Sequence, residues 1–173
     1  MRIHHSEEIS LPGSVVAIGA FDGVHKGHQE VIKSAVQESK FLNVPSVIYT
    51  FDQSPRTYFQ GAQMLSTPEE KVRKFQKLGV DHTVIATFNR EYLNRSAQSF
   101  ITELSLLNPS LIIVGDDFRF GYKRSGDIHL LKEHFTVITI NQVSCPKGER
   151  ISSTRIRKLI SEGKIEQAVP LLA

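Results

Sequence analysis

The stretch of sequence that decides the fold is SVVAIGAFDGVHKGHQEVI, Ser14 to Ile32. Its first part, Ser14–Gly19, is a short apolar run with β-branched residues, which is typical of a buried strand. Downstream, Val31, Ala35 and Val36 recur at helical spacing. The pattern predicts a strand that turns directly into a helix.

Two histidines, His25 and His28, lie on this strand-to-helix turn among Gly19, Gly23 and Gly27. Glycine permits backbone conformations and close approaches that a Cβ atom would block. The first N–H groups of a helix have no partner inside the helix and form an anion site. The sequence therefore predicts two imidazoles beside a site that is suited to a phosphate.

Four further apolar runs follow, with helical stretches between them. Near-continuous apolar runs that alternate with helices are typical of a parallel sheet covered on both faces. The runs are SVIYTF at 46–51, HTVIATF at 82–88, SLIIVG at 110–115 and TVITIN at 136–141. We predict one α/β domain over residues 1–173, a Rossmann-like doubly wound parallel sheet of about five strands with C-terminal helices. In such a sheet, ligands bind beyond the carboxyl ends of the strands.

One of the helices is marked clearly in the sequence. Thr67 is a predicted N-cap, Pro68 suits the first turn, Glu70 completes a capping box and Gly79 closes the helix. We also predict helices over about 96–107 and 128–135, and two over 153–173 that are separated near Gly163.

The composition is that of an ordinary globular protein, with 173 residues, 40% hydrophobic and 23% charged. A net charge of +3 is too small to indicate nucleic-acid binding. Cys145 is the single cysteine, so no intramolecular disulfide and no cysteine-based zinc pattern can form. The sequence begins without a signal peptide and has no run near the roughly 18 apolar residues of a membrane span. We expect a cytoplasmic protein with no membrane or nucleic-acid partner; nothing indicates its oligomeric state.

Several kinds of site compete for the two histidines. A zinc site needs two further ligands, and the sequence has only scattered histidines and one distant cysteine. A P-loop is excluded because Lys26 is followed by Gly27, and the glycine spacing does not match the dinucleotide fingerprint. Two alternatives remain: surface histidines without a function, or a pair that binds the phosphates of a nucleotide.

A second candidate motif is GERISSTRIRKLI, Gly148 to Ile160. Three arginines, at positions 150, 155 and 157, surround the hydroxyl residues Ser152–Thr154 at a predicted helix start. Hydroxyls, free N–H groups and guanidinium groups together suit a polyphosphate. The alternative is a capped amphipathic helix with arginines on its solvent face.

A third motif is VGDDFRFGYKRSGD, Val114 to Asp127, directly after the fourth apolar run. Its aromatic residues Phe118, Phe120 and Tyr122 lie among glycines and charges. Such a loop suits a flat aromatic ligand, although aromatic residues in loops more often pack back onto the core.

Together, IGAFDGVHKGHQ, VGDDFRFGYKRSGD and ISSTRIR resemble the motifs of bacterial FAD synthetases. More narrowly, they resemble the FMN adenylyltransferase module, a branch of the nucleotidylyltransferase superfamily. The resemblance covers essentially the whole chain, with the motifs in the right order. It implies that the AMP moiety of ATP is transferred to FMN, giving FAD and pyrophosphate, with Mg²⁺ accompanying ATP and no covalent enzyme intermediate.

The resemblance also implies roles for individual residues. His25 and His28 would stabilise the charge that develops on the α-phosphate, with Arg150 in the same catalytic set. The resemblance assigns the β- and γ-phosphates to Arg150, Ser153, Thr154 and Arg157, the nucleotide pocket to Gly19, Phe21, Asp22, Gly23 and Gly27, and the flavin side to Phe51, Asp117, Arg119 and Phe120. It implies no metal ligands on the protein.

Three features depart from the family's pattern. Gln53, Ser54 and Pro55 stand where the family often has a Pro-His-Pro turn, and some relatives have asparagine where Asp117 stands. Bacterial members usually continue into a riboflavin kinase module, which we do not find here, so we expect no phosphorylation of riboflavin. The alternatives are a transferase that acts on another phosphomonoester, or a weakly active paralogue that binds flavin nucleotides and regulates another process.

Overall fold

The computed structural model describes residues 1–141, 143–145 and 148–172. In this part of the chain a six-stranded parallel sheet forms the centre of the molecule. The strands are β1 (Arg2–His5), β2 (Ser14–Ile18), β3 (Ser46–Phe51), β4 (His82–Ala86), β5 (Pro109–Gly115) and β6 (Val137–Ile140). The helices are α1 (Lys26–Leu42), α2 (Pro55–Gln60), α3 (Pro68–Lys77), α4 (Arg90–Leu93), α5 (Ala97–Leu106), α6 (Ile128–His134), α7 (Ser153–Ser161) and α8 (Ile165–Leu172), with a 3₁₀ turn at Tyr122–Arg124.

The strand order is β1-β4-β3-β2-β5-β6. The chain passes outward from β2 through β3 to β4, then returns to place β5 on the other side of β2. This reversal confirms the predicted α/β, Rossmann-like doubly wound fold. It places the switch point, where such sheets bind ligands, between β2 and β5.

The five predicted strands are present, and β1 is an addition to them. Its sequence, RIHH, has one apolar residue, and Ile3 itself is exposed. The strand pairs with β4 at the edge of the sheet, Ile3 opposite Thr83. An edge strand with one solvated side needs no apolar run, which is why the sequence pattern does not reveal it.

The core lies on both faces of the sheet because side chains of β2 alternate between them. Val16 and Ile18 pack with Tyr49 and the helix α5 on one face. Val15 and Ala17 pack with α1 and with Phe75 of α3 on the other. All five residues of β2 are buried, as predicted for a central parallel strand.

The predicted helix boundaries are confirmed where a capping residue or a glycine marks them in the sequence. Thr67 caps α3 in a complete capping box with Glu70, and Gly79 follows the helix with φ +85°. Ser96 caps α5. The short helices α2 and α4 were not predicted.

The C-terminal helices α7 and α8 are separated at Gly163, as predicted. They form a small apolar cluster of their own, in which Ile156, Leu159 and Leu171 are buried. This cluster packs beside the carboxyl edge of the sheet through Leu65. None of the helices in the described ranges is long and apolar enough to cross a membrane.

Candidate active site

The candidate site lies at the carboxyl edge of the sheet, beside the switch point. β2 leads into α1 through the turn at 19–25, and α7 begins next to this turn. The two are joined directly, since the Ser153 hydroxyl donates to the Asp22 carbonyl oxygen at 2.9 Å. The first two sequence motifs, joined by two residues that are 131 positions apart in the chain, therefore meet at one site.

The turn between β2 and α1 has an uncommon backbone. Phe21, Gly23 and Val24 all have positive φ, at 48°, 83° and 46°. Non-glycine residues in this region are strained, and such strain is concentrated at functional sites. A Cβ atom on Gly19 would lie 3.0 Å from Phe21 Cζ, so the Phe21 ring occupies the space that a side chain at 19 would need.

His25 is the N-cap of α1, and its Nδ1 accepts a hydrogen bond from the His28 N–H at 3.3 Å. A neutral ring that accepts at Nδ1 carries its proton on Nε2. The two imidazoles are stacked, with ring centroids 3.5 Å apart. Gly27 lies close beside them: a Cβ atom there would be 3.2 Å from the His25 ring, which would have to shift slightly.

Both histidines are neutral at pH 7. The pKa of His25 is lowered to about 4, mainly by burial; a backbone hydrogen bond raises it, and the charges of Arg150 and Lys74 contribute smaller decreases. Burial also lowers the pKa of His28 well below its usual range, with smaller effects from His25, Lys71 and Lys74. The Nδ1 atom of His28 is buried and has no hydrogen-bond partner in the described part of the chain. An unpaired buried polar atom is typical of a group that is kept for a ligand.

Asp22 joins three segments around the turn. Its Oδ1 accepts from the N–H groups of Leu65 and Ser66 at 2.9 and 3.1 Å. Its Oδ2 pairs with the Arg157 guanidinium of α7, which also donates from Nε to the Gln63 carbonyl at 2.8 Å. The carboxylate is 5% exposed, so this pair is largely shielded from solvent. Arg157 thus ties α7 to the turn between β2 and α1.

Gly23 is held between the same segments. Its N–H donates to the Ser66 hydroxyl at 2.8 Å, and its carbonyl accepts from Lys74 Nζ at 2.8 Å. A Cβ atom at this position would lie 3.0 Å from Leu172, in addition to the strain of φ +83°. The positive φ therefore favours glycine here, and a side chain would in addition have to displace Leu65 and Leu172 slightly.

Arg150 and Thr154 lie at the exposed rim. Arg150 Nη2 pairs with Asp117 Oδ2 at 3.2 Å, so the second and third sequence motifs also meet. Thr154, in the first turn of α7, is exposed and follows the N-cap Ser152. Arg119 points to another partner, Asp127, at 3.3 Å.

Two aromatic residues that the resemblance assigned to the flavin side have buried rings. Phe51 packs edge-on against Tyr49, and Phe120 packs against Phe100 and over Gly126. Phe120 therefore follows the more common behaviour of loop aromatics, which pack onto the core.

Accessible aromatic rings lie instead on α2, directly after β3. Phe59 is 64% exposed and packs edge-on against Tyr58, and both contact Phe88. Sequence reasoning missed them because α2 itself was not predicted. The signal was the sequence SPRTYF, where Ser54 caps the helix and Pro55 occupies its first turn.

Two lysines of α3 were also missed. Lys71 and Lys74 both reach the carboxyl edge, where their side chains donate to backbone carbonyl oxygens. The signal available was the position of Lys71, four residues before the buried Phe75 and so on the same helix face.

No group of three or more His, Cys, Asp or Glu side chains suited to a metal ion occurs among residues 1–141, 143–145 and 148–172. The acidic residue nearest the turn, Asp22, has both oxygens engaged. The cationic and N–H groups of the site suit an anion.

Fold and site together define the class of protein. The sheet is doubly wound, and α1 begins with paired histidines at its switch point. The start of α7 lies beside it and is rich in hydroxyl and guanidinium groups. This combination is that of a nucleotidylyltransferase-like domain. The comparison with known families is more specific. The family model for FAD synthetase matches residues 7–155, and the chain belongs to this family.

Curated relatives agree with this assignment. A protein of Geobacillus thermodenitrificans, provisionally named bifunctional riboflavin kinase/FMN adenylyltransferase, is 53% identical over 173 residues, which are 99% of this chain and 97% of the relative. The Escherichia coli K12 protein named bifunctional riboflavin kinase/FMN adenylyltransferase is 35% identical over 98% of this chain. The chain spans 57% of that relative's length. The resemblance found from three motifs is confirmed.

Solved structures support the fold. A Streptococcus pneumoniae structure described as a macrolide-efflux protein has a TM-score of 0.85 and 32% identity, covering 99% of this chain and 59% of its own. A pantoate-beta-alanine ligase of Francisella tularensis, complexed with beta-gamma ATP and beta-alanine, has a TM-score of 0.56 over 93% of this chain and 79% of its own. At 15% identity the second likeness shows the fold alone.

Proposed function

We propose that this chain is an FMN adenylyltransferase, which transfers AMP from ATP to FMN. A phosphate oxygen of FMN attacks the α-phosphorus of ATP, the bond from that phosphorus to the α,β-bridging oxygen breaks, and pyrophosphate leaves. The products are FAD and pyrophosphate. The observation that carries the proposal is the stacked His25–His28 pair at the start of α1, facing the start of α7, in a chain of the FAD synthetase family.

The neutral state of the two histidines suits this reaction. The nucleophile is already an anion, so no general base is required, and the protein acts by positioning and by stabilising charge. His25, which accepts at Nδ1, presents its Nε2–H as a donor for an α-phosphate oxygen. The unpaired Nδ1 of His28 supports a second contact, which requires the stacked rings to separate when ATP binds.

The leaving pyrophosphate is assigned to the start of α7. Arg150, Ser153 and Thr154 lie at or before its first turn, and the N–H groups of a helix start favour anions. Arg157 is already paired with Asp22, so its contact with the β- or γ-phosphate would require an exchange of partners. We therefore propose that the main role of Arg157 is structural: it holds α7 against the pocket.

For the flavin end, we add the exposed face of α2 to the residues implied by the resemblance. Asp117 and Arg119 remain exposed at the rim, while the buried rings of Phe51 and Phe120 support the site from beneath. Phe59 and Tyr58 offer accessible rings for an isoalloxazine. The family's Pro-His-Pro histidine is replaced by Ser54, which caps this helix.

We further propose that Mg²⁺ enters with ATP. Magnesium commonly binds through substrate phosphates together with one or two carboxylates. Magnesium bound in this way neutralises phosphate charge. A cytoplasmic location is proposed from the ATP requirement and the single cysteine.

The test is a chromatographic assay of the purified chain with ATP and Mg²⁺, given FMN in one tube and riboflavin in another. The proposal expects FAD and pyrophosphate from FMN, in equal amounts, and no FMN from riboflavin. FMN binding without FAD formation would instead support the regulatory paralogue. FAD synthesis that starts only from riboflavin would overturn the proposal.

A further inference from the structure

Lys71 of α3 is a buried lysine that touches the ends of two strands. Its side chain is 2% exposed. Its Nζ donates to the Ala20 carbonyl at 3.2 Å and to the Phe51 carbonyl, and lies 3.5 Å from the Thr50 hydroxyl. Ala20 follows β2 and Phe51 ends β3, so one ammonium group joins the carboxyl ends of both strands.

The positive charge of Lys71 is not neutralised by these contacts, because the three acceptors are uncharged oxygens. The two carboxylates that favour its charged form, Asp22 and Asp52, have other partners. Asp22 pairs with Arg157, and Asp52 accepts from the N–H groups of Gln53 and Phe88. Burial lowers the pKa of Lys71 to about 8, so the ammonium is still mostly protonated at pH 7.

This charge lies next to the histidine pair. Ala20, which accepts from Lys71, immediately precedes Phe21, and the Phe21 ring packs edge-on against His28 with centroids 5.4 Å apart. The Lys71 charge also lowers the pKa of His28, after the larger effects of burial and His25. A buried cation without a paired carboxylate destabilises a fold, so its presence indicates a functional benefit that offsets this cost. In a low-dielectric site, a fixed positive charge attracts an anion much more strongly than it does in water.

We propose that Lys71 is a positioning residue of the adenylyl-transfer site. Its buried ammonium fixes the ends of β2 and β3 beneath the His25–His28 pair and attracts the triphosphate of ATP into that site. The inference rests on the proposed function and adds to it a cation that makes no direct contact with the reacting atoms.

Two substitutions separate the charge from the hydrogen bonds. The amide of Lys71→Gln keeps N–H donors on a side chain one bond shorter and has no charge, whereas Lys71→Met removes both the donors and the charge. Lys77→Gln is the matched control, since Lys77 lies on the same helix and is exposed. Circular dichroism and thermal unfolding check that each variant is folded, and the glutamine variant carries the test if the methionine variant does not fold.

For Lys71→Gln we expect ATP affinity by titration calorimetry and kcat for FAD formation each to fall about tenfold or more, with KM for FMN changed much less. Lys77→Gln stays within about twofold of wild type in each quantity, as is usual for an exposed surface substitution. A folded Lys71→Gln protein with wild-type ATP affinity and kcat would overturn the proposal.

The pH profile gives a readout that a purely structural role would not change. The charged groups that act on Lys71 are Asp22 after β2 and Asp52 after β3. The neutral His28 on α1 is influenced by the charges of both Lys71 and Lys74 of α3. Because the lysine is charged below its pKa of about 8, wild-type ATP affinity should decline as the pH rises through that value. This decline should be absent in Lys71→Gln and retained in the control Lys77→Gln; a decline retained in Lys71→Gln would contradict the assignment.

Measurements on the wild-type protein distinguish failure of the proposed function from failure of the Lys71 proposal. If wild type binds ATP but forms no FAD, the adenylyltransferase proposal fails, while the ATP affinities of wild type and Lys71→Gln still decide whether Lys71 attracts the triphosphate.

Discussion

At the scale of single residues, His28 is the most constrained side chain of the site. Its ring lies against His25 on one side and meets the edge of Phe21 on another. If it stabilises charge on the α-phosphate, His28→Ala should lower kcat by about a hundredfold or more, because losing one preorganised donor has that effect. KM for ATP should change only a few-fold, since the interaction is made mainly in the transition state. Steady-state kinetics of FAD formation measures both.

The control for this substitution is His5→Ala, at an exposed histidine on the edge strand β1, which β4 and β3 separate from β2. It should leave kcat unchanged. An unchanged kcat in His28→Ala as well would remove His28 from the mechanism.

Substitution of Arg157 tests whether this residue, which the resemblance assigns to a phosphate, has mainly a structural role. Removing its side chain leaves the Asp22 carboxylate largely buried and without its guanidinium partner. We expect Arg157→Ala to lower the free energy of unfolding by about 3 kcal/mol. Urea unfolding measures this, and the double variant with Asp22→Asn should recover part of the loss because no charge is then left unpaired. A variant of full stability that has lost only ATP and pyrophosphate affinity would place Arg157 on the phosphates instead.

At the scale of elements, α1 begins on an imidazole where most helices begin on a hydroxyl or carboxamide. The folded pKa of His25, about 4, lies below its ordinary value of 6.5, so the unfolded chain binds the proton more readily. The stability linked to this group is complete above pH 6.5 and is lost as the pH falls toward 4, by up to about 3 kcal/mol.

His25→Asn keeps a good N-cap and removes the titrating ring. Unfolding measured from pH 7 to pH 4 should therefore show a shallower loss of stability in the variant than in wild type. Groups other than the adjacent His28 are unchanged in the variant, so the difference reports the His25–His28 pair. Identical pH slopes would show that the ring of His25 is protonated as readily in the folded protein as in the unfolded chain.

The elements that sequence reasoning found are those whose signal is local. β2, β3 and β5 are near-continuous apolar runs, and α3 has its cap, its proline and its closing glycine within the thirteen residues 67–79. β1 was missed because an edge strand is specified by its neighbour β4, not by its own hydrophobicity. Which strands pair across the sheet cannot be predicted from the sequence of any one segment.

The residues of the site also divide into those that the local sequence predicts and those that only the fold brings together. His25, His28 and Gly27 are within one turn of helix, and their relation could be read from spacing. The pairing of Asp22 with Arg157 spans 135 positions and depends on how α7 packs. Lys71 was missed because a lysine is assigned to the solvent face by default, and only the fold shows that its ammonium lies under the strand ends.

At the scale of the whole molecule, the site is built from two parts with separate apolar cores. The sheet and α1 belong to the main core, whereas α7 and α8 form their own cluster. They meet through the Asp22–Arg157 pair and the Ser153–Asp22 hydrogen bond. A ligand that contacts the starts of both α1 and α7 should therefore couple the stabilities of the two parts.

Hydrogen exchange measures this coupling. ATP at about a hundred times its Kd should stabilise the folded chain by about 2.7 kcal/mol. Because ATP would join the two helix starts, peptides covering 20–30 and 152–160 should both exchange more slowly when it is bound, while the edge strand β1 should change least. FMN alone should protect 55–60 of α2 more than α7, since its ring is assigned to the aromatic face there. Protection by ATP that stops at α1 would show that α7 does not take part in nucleotide binding, and would leave the polyphosphate without the partner assigned to it.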